Sequence, residues 1–407
     1  MTVHILFITN YYPPEIAAAA NLYEQLGYEF VRRGHEITVL TGMPRYNVSR
    51  EIYNQYKASG AIEKNGNIKA IRARVPYVAR GRTLRRGFEQ FEIAGSFSRA
   101  GKRIQEKVDV ALVCSPPLTL YRTAHKLSEK HSFPEVLGIQ DVFPQNAIDL
   151  GIMRNKYLIK FFERMERKAY NLVDAITVQS EGHLRFVEPK VNDKSKIHIL
   201  QNWIDTNQIM PGSKKNAFSE KYKLEESFVV SYAGTMGHSQ DMDVIVSAAN
   251  LMKKEKIRFI IAGSGVQETQ VRHKVNELNL KNLTLLPMLS YEEYKQLLDT
   301  SDISLVTLKT GVETPTVPSK IISIMASGKP VIASMNPEGD APKLIVEADC
   351  GFVVGGNAQD LADRIMDLFR NKEMRERLGI NGRRYIEQEL SVQIAADKLE
   401  KIFDSIM

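Results

Sequence analysis

Cysteine is nearly absent from this chain, whose 407 residues include only Cys114 and Cys350. Both lie within or beside apolar stretches, which argues against a disulfide framework and against a metal site built from cysteine. Long apolar runs are also missing, because nowhere do eighteen or more apolar residues follow one another. Residues 1–15 contain one short apolar run without a basic flank or a small-residue cleavage site. These absences predict a cytoplasmic protein in a reducing compartment, without a membrane span.

The composition favours folded domains. Apolar residues make up 43% of the chain and charged residues 25%, which allows buried cores and excludes overall disorder. The length predicts two or three domains rather than one. The formal net charge is +7, but it is unevenly distributed, because residues 72–107 contain ten arginines and lysines against three glutamates.

This basic segment, residues 72–107, also carries aromatic residues such as Tyr77, Phe88 and Phe91. Interleaved cations and aromatics are typical of surfaces that bind an anionic membrane or a phosphate-bearing acceptor. A solvated helix whose aromatics enter the core explains the pattern equally well. No nucleic-acid-binding motif accompanies the charge, so nucleic acid is not expected as a partner. The candidate contacts with membrane or acceptor are Arg80, Arg82, Arg85 and Arg86.

Strands and helices alternate along the first half of the chain. Residues 4–9 form an apolar run, residues 17–33 have helix-forming character and end at Gly34, and residues 36–41 form a second apolar run. Strands separated by helices predict a parallel α/β sheet. The same alternation predicts strands at 109–114, 135–139 and 175–178, with helices at 118–130 and 157–171.

A second alternating series begins near residue 229, and residues 202–219, rich in polar residues, Gly and Pro, are predicted to link the two halves. The expected architecture is two Rossmann-like doubly wound domains that face each other across a cleft. The predicted domains are 1–203 and 204–391, with a C-terminal helix at 392–407 that packs back on the first. The second series predicts strands at 229–233, 258–262, 283–286 and 303–308, and helices at 242–254, 268–278 and 291–300.

Two glycine-rich turns follow successive strands of the second half. Gly234 and Gly237 lie directly after one strand, with His238 beside them, and Gly263 and Gly265 lie after the next. Such turns expose backbone N–H groups at the carboxyl edge of a parallel sheet, where helix N-termini also attract phosphate. Each turn alone is weak evidence, because glycine often marks only a tight turn. Together they predict a phosphate or diphosphate site.

A third element of this site follows the strand at 303–308. Thr316, Val317 and Pro318 lead into a short helix that begins near Ser319 and Lys320. The helix N-terminus and the Lys320 ammonium group are both suited to bind a diphosphate. The alternative is that Ser319 caps the helix and Lys320 lies in solvent.

The ordered series of motifs resembles a family 4 glycosyltransferase of the GT-B fold, in the branch that assembles bacterial O-antigen or capsule sugars. The resemblance covers nearly the whole chain. It depends on residues 11–15 (YYPPE), 34–41 (GHEITVLT), 141–144 (DVFP), 166–180, 202–205 (NWID), the turn at Gly234, residues 263–265 (GSG) and residues 317–331.

The resemblance implies a nucleotide-sugar donor in the second domain, a lipid-linked saccharide acceptor in the first, and retention of anomeric configuration. It also implies that no metal or other cofactor is required. The family's diphosphate contacts fall on Gly237 and Lys320, and its base-contacting turn falls near Pro287 and Met288. Its N-terminal loop beside phosphate and acceptor corresponds to Pro14, Ile16, Ala17, Ala18 and Ala19.

Several positions depart from the family's pattern. Alanines stand at 17–20 where many relatives have glycine, and residues 238–241 (HSQD) lack the usual Arg and Lys. The family's paired glutamates fall on Pro315 and Ser323, so Ser323 is left to contact a ribose hydroxyl. The donor expected from the resemblance is a UDP-linked N-acetylated deoxy-amino sugar such as UDP-N-acetylfucosamine, with GDP-mannose or a neutral UDP-hexose as alternatives.

Asp141 is the main catalytic candidate and Glu15 the second. A carboxylate that follows a strand at the sheet edge can orient or deprotonate an acceptor hydroxyl, or stabilise an oxocarbenium-like centre. Asp141 can equally be a turn aspartate.

Two other functions fit the same residues. A non-hydrolysing nucleotide-sugar epimerase would use the same fold without an acceptor. A non-catalytic subunit that only binds the sugar nucleotide would tolerate the loss of the paired glutamates. The enzyme is expected to bind peripherally to the inner face of the cell membrane.

Overall fold

The computed structural model describes residues 2–46, 48–59, 62–75, 83–311, 315 and 317–407, without the side chains of residues 59 and 83–88. The chain divides into two compact units. Unit 1 consists of Met1–Asn202 together with Val392–Met407, and unit 2 consists of Trp203–Ser391. Each unit contains one sheet with helices on its faces.

Unit 1 contains an eight-stranded sheet in its described residues. Its strands are β1 (His4–Ile8), β2 (Glu36–Gly42), β3 (Ile62–Asn65), β4 (Ile68–Ala73), β5 (Val110–Ser115), β6 (Glu135–Ile139), β7 (Ala175–Val178) and β8 (Ile197–Ile199). They lie in the order β3-β4-β2-β1-β5-β6-β7-β8, and only β3 runs antiparallel to its neighbour. The chain winds outward in one direction from β1 and in the other direction from β5. The carboxyl edge between β1 and β5 is therefore the switch point of the sheet, where ligands bind in such folds.

The helices of unit 1 cover both faces of this sheet. On one face, Phe97, Leu120 and Phe162 join a core cluster with the strand residues Leu6 and Val113. On the other, the C-terminal helix packs against the first helix, and the rings of Phe30 and Phe403 lie 5.9 Å apart. The helices are α1 (Ala18–Arg32), α2 (Arg50–Ser59), α3 (Thr83–Gly101), α4 (Leu120–His131), α5 (Gln145–Asp149), α6 (Lys156–Leu172), α7 (Glu181–Val187) and the C-terminal α16 (Val392–Ile406).

Unit 2 contains a six-stranded parallel sheet in the part that the structure describes. Its strands are β9 (Phe228–Ala233), β10 (Ile257–Ala262), β11 (Leu283–Leu286), β12 (Ile303–Thr307), β13 (Val331–Ser334) and β14 (Gly351–Val354). The order β11-β10-β9-β12-β13-β14 is that of the Rossmann fold, with its switch point between β9 and β12. The helices are α8 (Ala217–Tyr222), α9 (Met242–Leu251), α10 (Glu268–Glu277), α11 (Tyr291–Thr300), α12 (Ser319–Ala326), α13 (Asp340–Glu347), α14 (Ala358–Arg370) and α15 (Lys372–Glu389).

The stretch predicted as a linker is largely part of unit 2. The guanidinium group of Arg383 donates hydrogen bonds to the carbonyl oxygens of Thr206 and Ile209 at 3.0 and 2.7 Å. Asn216 caps α8 and donates through its amide to the Thr300 hydroxyl at 3.1 Å. Backbone carbonyl groups and the Asn216 side chain of this stretch thus form hydrogen bonds within unit 2.

Candidate functional site

The two glycine turns of unit 2 lie side by side at the carboxyl edge of β9 and β10. Gly234 donates its N–H to the carbonyl oxygen of Ala262 at 2.8 Å, and Met236 donates to that of Ser264 at 2.9 Å. A Cβ at Gly263 would overlap the carbonyl oxygen of Gly234, and one at Gly265 would overlap that of Met236. Glycine is therefore required by the close approach of the two turns.

Lys320 lies against the first of these turns. Its ammonium nitrogen donates a hydrogen bond to the Tyr232 hydroxyl at 2.7 Å and lies 4.0 Å from the centroid of the Tyr232 ring. Gly234 leaves room for this side chain, because a Cβ there would collide with Lys320 Cε. Burial lowers the pKa of Lys320 to about 7. The structure thus holds a half-buried amine at the switch point of the unit 2 sheet, where the sequence predicts a diphosphate.

The helix that carries Lys320 presents its N-terminus at the same edge. Pro318 occupies the cap position of α12, Ser319 is the first helical residue, and no side chain among the described residues caps the helix. The alternative in which Ser319 caps this helix is therefore wrong. Ile321 donates its N–H to the Pro318 carbonyl oxygen at 3.0 Å, so among the described residues the N–H groups of Ser319 and Lys320 are those left for an anion. Val317 and Pro318 are half-buried beside them, and Thr316 lies outside the described residues.

Gly237 is engaged within its own turn. Its N–H donates to Gln240 Oε1 at 2.9 Å. The side-chain amide of Gln267 donates to the carbonyl oxygen of Gln240 at 2.8 Å and to that of Gly237. The amide predicted to bind diphosphate is thus paired with a side chain in the free protein, while His238 beside it is exposed. The two glutamines were not recognised from the sequence.

The remaining donor candidates lie at the same edge of unit 2. Pro287 and Met288 follow β11 directly, and Gly263 donates its N–H to the Leu286 carbonyl oxygen at 3.1 Å. Ser323 lies one turn into α12. Burial raises the pKa of Tyr294 to about 12, and a hydrogen bond with Ser323 opposes that shift. The contact between Tyr294 and Ser323 was not recognised from the sequence.

In unit 1, Glu15 is buried and holds the loop that precedes α1. Its carboxylate accepts hydrogen bonds from the backbone N–H groups of Tyr12, Arg45 and Tyr46 at 3.4, 3.0 and 2.9 Å. Burial raises the pKa of Glu15, and these three donors oppose the shift. Through these contacts Glu15 positions the loop before α1 and the loop after β2. A catalytic role for Glu15 stays a prediction.

The loop held by Glu15 leads into the N-terminus of α1. Pro14 is half-buried and Ile16 is exposed. Ala17 is the cap residue, and it makes no side-chain hydrogen bond to the helix. Ala18 and Ala19 form the first turn. Because their side chains are single methyl groups, the first-turn N–H groups stay open to a ligand at the switch point of this sheet.

Asp141 follows β6 by two residues, at the carboxyl edge of the unit 1 sheet. Its side chain is open to solvent, and desolvation by the surrounding protein raises the pKa of its carboxyl group to about 6. The preceding Gln140 is held by its N–H bond to the Ser115 carbonyl oxygen at 2.8 Å and by a bond from Gln179. Asp141 is therefore an accessible carboxyl group that follows a hydrogen-bonded backbone, and its pKa lies above the usual value for aspartate.

The basic segment separates into buried and accessible parts. Arg72 is only 1% exposed, and it donates to Glu63 Oε1 at 2.7 Å and to the carbonyl oxygen of Pro13 at 2.5 Å. This cation therefore supports the loop before α1 and is not available to a membrane. Arg80 and Arg82 lie outside the described residues, as do the side chains of Arg85 and Arg86 in α3.

The described parts of the chain lack two features, a membrane-spanning helix and a cluster of metal-ligating side chains. No helix there is long and apolar enough to cross a membrane. No group of three or more His, Cys, Asp or Glu side chains gathers there in a way that could hold a metal ion.

Comparisons with known proteins match both units. The family model for glycosyl transferases group 1 matches residues 213–385, and the model for glycosyltransferase family 4 matches residues 19–208. WbjE of Pseudomonas aeruginosa, by its name a probable glycosyltransferase, is 27% identical over 79% of this chain and 81% of its own. WcaI of Escherichia coli K12, whose name assigns it provisionally to colanic acid biosynthesis, is 22% identical over 78% of this chain and 79% of its own.

The fold has solved counterparts among glycosyltransferases. The structure of Anabaena HepE in complex with UDP-glucose superposes with a TM-score of 0.70 over 99% of both chains at 14% sequence identity. Such a likeness at low identity identifies the fold, which is GT-B, and confirms the prediction of two Rossmann-like units. Together the two family models span most of both units, and the chain belongs to the glycosyltransferases of family 4.

Proposed function

We propose that this glycosyltransferase transfers a sugar from a UDP-linked donor to a lipid-linked saccharide during assembly of a bacterial surface polysaccharide. The observation that carries the proposal is the position of Lys320. Its ammonium group lies 2.7 Å from the Tyr232 hydroxyl, beside two turns that only glycine can form and at the N-terminus of α12. A cation, two glycine turns and a helix N-terminus at one sheet edge are suited to a diphosphate.

The role in polysaccharide assembly is supported by relatives. The names of WcaI and of an O-antigen chain mannosyltransferase of Escherichia coli, 20% identical over 63% of this chain, refer to such polymers. The choice of UDP is supported by the UDP-glucose complex of the Anabaena protein. An N-acetylated deoxy-amino sugar such as N-acetylfucosamine is the sugar we propose, and GDP-mannose is the alternative that donor titration tests.

In unit 1 we assign the acceptor to the carboxyl edge that carries Asp141 and the N-terminus of α1. The Asp141 carboxylate would orient the acceptor hydroxyl or receive its proton, and the open amides of Ala18 and Ala19 would face phosphate. Glu15 would act through the loop that it holds. Retention of configuration and independence of metal complete the proposal.

A direct experiment is incubation of the purified chain with UDP- and GDP-sugars and a synthetic lipid-linked saccharide. Transfer from a UDP-sugar, unchanged by EDTA and with the anomeric configuration retained by NMR, is the expected result. Epimerised donor without an acceptor would favour the epimerase, and donor binding without turnover would favour a binding subunit. Transfer from GDP-sugars alone would overturn the proposed donor.

The surface around α6 supports peripheral binding to an anionic membrane. Tyr157 is 88% exposed and Phe161 49%, while Lys156 and Lys160 beside them are exposed cations. Aromatic and basic residues on one exposed helix end are suited to the interface of an anionic bilayer. Sedimentation with phosphatidylglycerol vesicles should be salt-sensitive, and equal binding to phosphatidylcholine vesicles would contradict this surface.

A further inference from the structure

Gln267 occupies the cap position of α10, but its side chain makes no capping hydrogen bond to that helix among the described residues. Its backbone N–H donates to the Met236 carbonyl oxygen at 3.1 Å. Its side-chain amide nitrogen reaches into the first glycine turn and donates to the carbonyl oxygens of Gly237 and Gln240, the latter at 2.8 Å. One side chain thus holds both ends of the segment 237–240, which lies between β9 and α9.

The two carbonyl oxygens determine which side chain is required at position 267. A carbonyl oxygen only accepts hydrogen bonds, so the atom that faces two of them has to be a donor. The amide nitrogen of glutamine supplies two N–H groups, whereas an ionised glutamate of the same length supplies acceptor oxygens only. The hydrogen-bonding chemistry of Gln267, and not only its size, therefore matters to the segment 237–240.

A held carbonyl oxygen also orients the N–H group of the same peptide. The peptide between Gly237 and His238 is trans, so its planar amide directs the His238 N–H opposite to the Gly237 carbonyl oxygen. Because that oxygen faces Gln267, the His238 N–H faces away from Gln267. Among the described residues no acceptor takes this N–H, and His238 is exposed. An oriented backbone donor is thus left open at the carboxyl edge of β9.

The segment 237–240 is also held from the side of β12. The N–H of Lys309, which follows that strand, donates to the Ser239 carbonyl oxygen at 2.8 Å. Gln240 Oε1 accepts the N–H of Gly237 at 2.9 Å, which belongs to the preceding peptide. The backbone is therefore anchored from two strands, and the side chain of Gln240 can move without releasing the carbonyl oxygen that orients the His238 N–H.

We propose that Gln267 is a positioning residue of the donor site, which holds the segment 237–240 so that the His238 N–H donates to a phosphate oxygen of the nucleotide sugar. The inference rests on the proposed function, because it requires the donor diphosphate to lie beside Lys320 and the glycine turns. It gives a backbone amide part of the role that the family resemblance assigns to Arg and Lys, which residues 238–241 (HSQD) lack.

Labelling the histidines of the full chain with ¹⁵N tests the contact directly, because the chain contains only eight of them. The backbone amide signal of His238 is assigned by its loss in His238→Ala. UDP should shift this signal downfield, as expected for an N–H that donates to a phosphate oxygen, and uridine should not. A His238 signal that stays in place at saturating UDP would overturn the contact.

Gln267→Met tests the positioning role, because methionine has a similar length and no amide. We expect affinity for UDP-glucose to fall about tenfold, the effect of one hydrogen bond to a charged group. In transfer assays KM for the donor should rise by a similar factor while kcat is unchanged, since the lost contact binds ground state and transition state alike. Gln267→Glu should weaken the donor at least as much, because its carboxylate faces two carbonyl oxygens.

Gln359→Met is the matched control. Gln359 is exposed in α14 of the same unit, and its amide donates to Asp363 at 2.8 Å. This variant should change neither the affinity for UDP-glucose nor the response of His238 to UDP. An equal loss of affinity in Gln359→Met and Gln267→Met would overturn the specific role of Gln267.

The other seven histidine signals report the fold of each variant. If Gln267→Met retains them and binds UDP-glucose as tightly as the wild type, the positioning role is wrong. If it loses them, the response of wild-type His238 to UDP decides the matter. A wild type that binds UDP and UDP-glucose without a response of His238 would overturn this inference alone, whereas a wild type that binds neither would count against the proposed function.

Discussion

Lys320 donates its hydrogen bond to the Tyr232 hydroxyl at 2.7 Å while its ammonium nitrogen lies over the same ring. The hydroxyl in turn donates to the Thr235 carbonyl oxygen at 2.6 Å, which fixes its position. The amine is thereby held at the glycine turns before any donor arrives. Because burial lowers the pKa of this amine to about 7, its charge changes with pH around neutrality.

Affinity for UDP-glucose should therefore fall as pH rises. A bound diphosphate favours the protonated amine and raises its pKa, so binding takes up a proton above pH 7. The association constant should be flat below pH 7 and decrease by up to about tenfold per pH unit above it. Calorimetry in buffers of different ionisation enthalpy measures both the affinity and the proton uptake.

Lys320→Arg is the matched variant for this prediction. Its guanidinium group stays protonated, so any remaining affinity should not change between pH 7 and 9. Lys320→Ala should bind weakly at every pH. A wild-type affinity that is constant from pH 7 to 9 would contradict the role given to this amine.

Gly263→Ala should destabilise unit 2. The new methyl group would overlap the Gly234 carbonyl oxygen, and the φ of +156° is rarely adopted by residues with a side chain. We expect a loss of about 2 kcal/mol or more in the free energy of unfolding of this unit. Gly355→Ala is the control, because a Cβ there meets no atom within 4 Å, and it should change stability by less than about 0.5 kcal/mol. Denaturant unfolding compares them, and equal losses would show that the contact between the turns is unimportant.

Gln240→Ala should strengthen donor binding. The change removes the side-chain oxygen that accepts the Gly237 N–H at 2.9 Å, and it frees this amide for a phosphate oxygen. Affinity for UDP-glucose should increase by about 3- to 10-fold, the effect of one hydrogen bond. Gln240→Glu should weaken it, because a carboxylate holds the amide more firmly and repels the diphosphate. Equal affinities in all three proteins would place the diphosphate away from Gly237.

The sequence predicted the alternating framework well, because parallel strands are short, apolar runs between amphipathic helices. The predicted strands at 135–139, 175–178 and 283–286 coincide with β6, β7 and β11. The glycine turns were also found, since glycine after a strand is a local signal. The roles assigned to the site residues remain predictions.

Contacts between distant parts of the chain were not predictable in this way. By local pattern, Tyr232 is indistinguishable from the other apolar residues of β9. Its hydrogen-bond partner Lys320 is 88 positions away in the sequence. Arg72 belongs to the basic segment by sequence, and no local pattern indicates β3, whose Glu63 pairs with Arg72 at 2.7 Å. Strand register and side-chain partners depend on packing that a local pattern does not contain.

Protonation of Asp141 should determine how kcat/KM falls at acidic pH. Its pKa of about 6 lies above the usual value for aspartate, so the carboxylate is half protonated at that pH. If the carboxylate is the form that orients the acceptor hydroxyl, kcat/KM should fall about tenfold per pH unit below 6 and level off above 7. Asp141→Asn should lower kcat by about 10²- to 10⁴-fold and remove this acidic limb, while affinity for UDP-glucose stays unchanged because the proposed donor site lies in unit 2. An Asn variant with full activity would show instead that Asp141 only shapes the turn after β6.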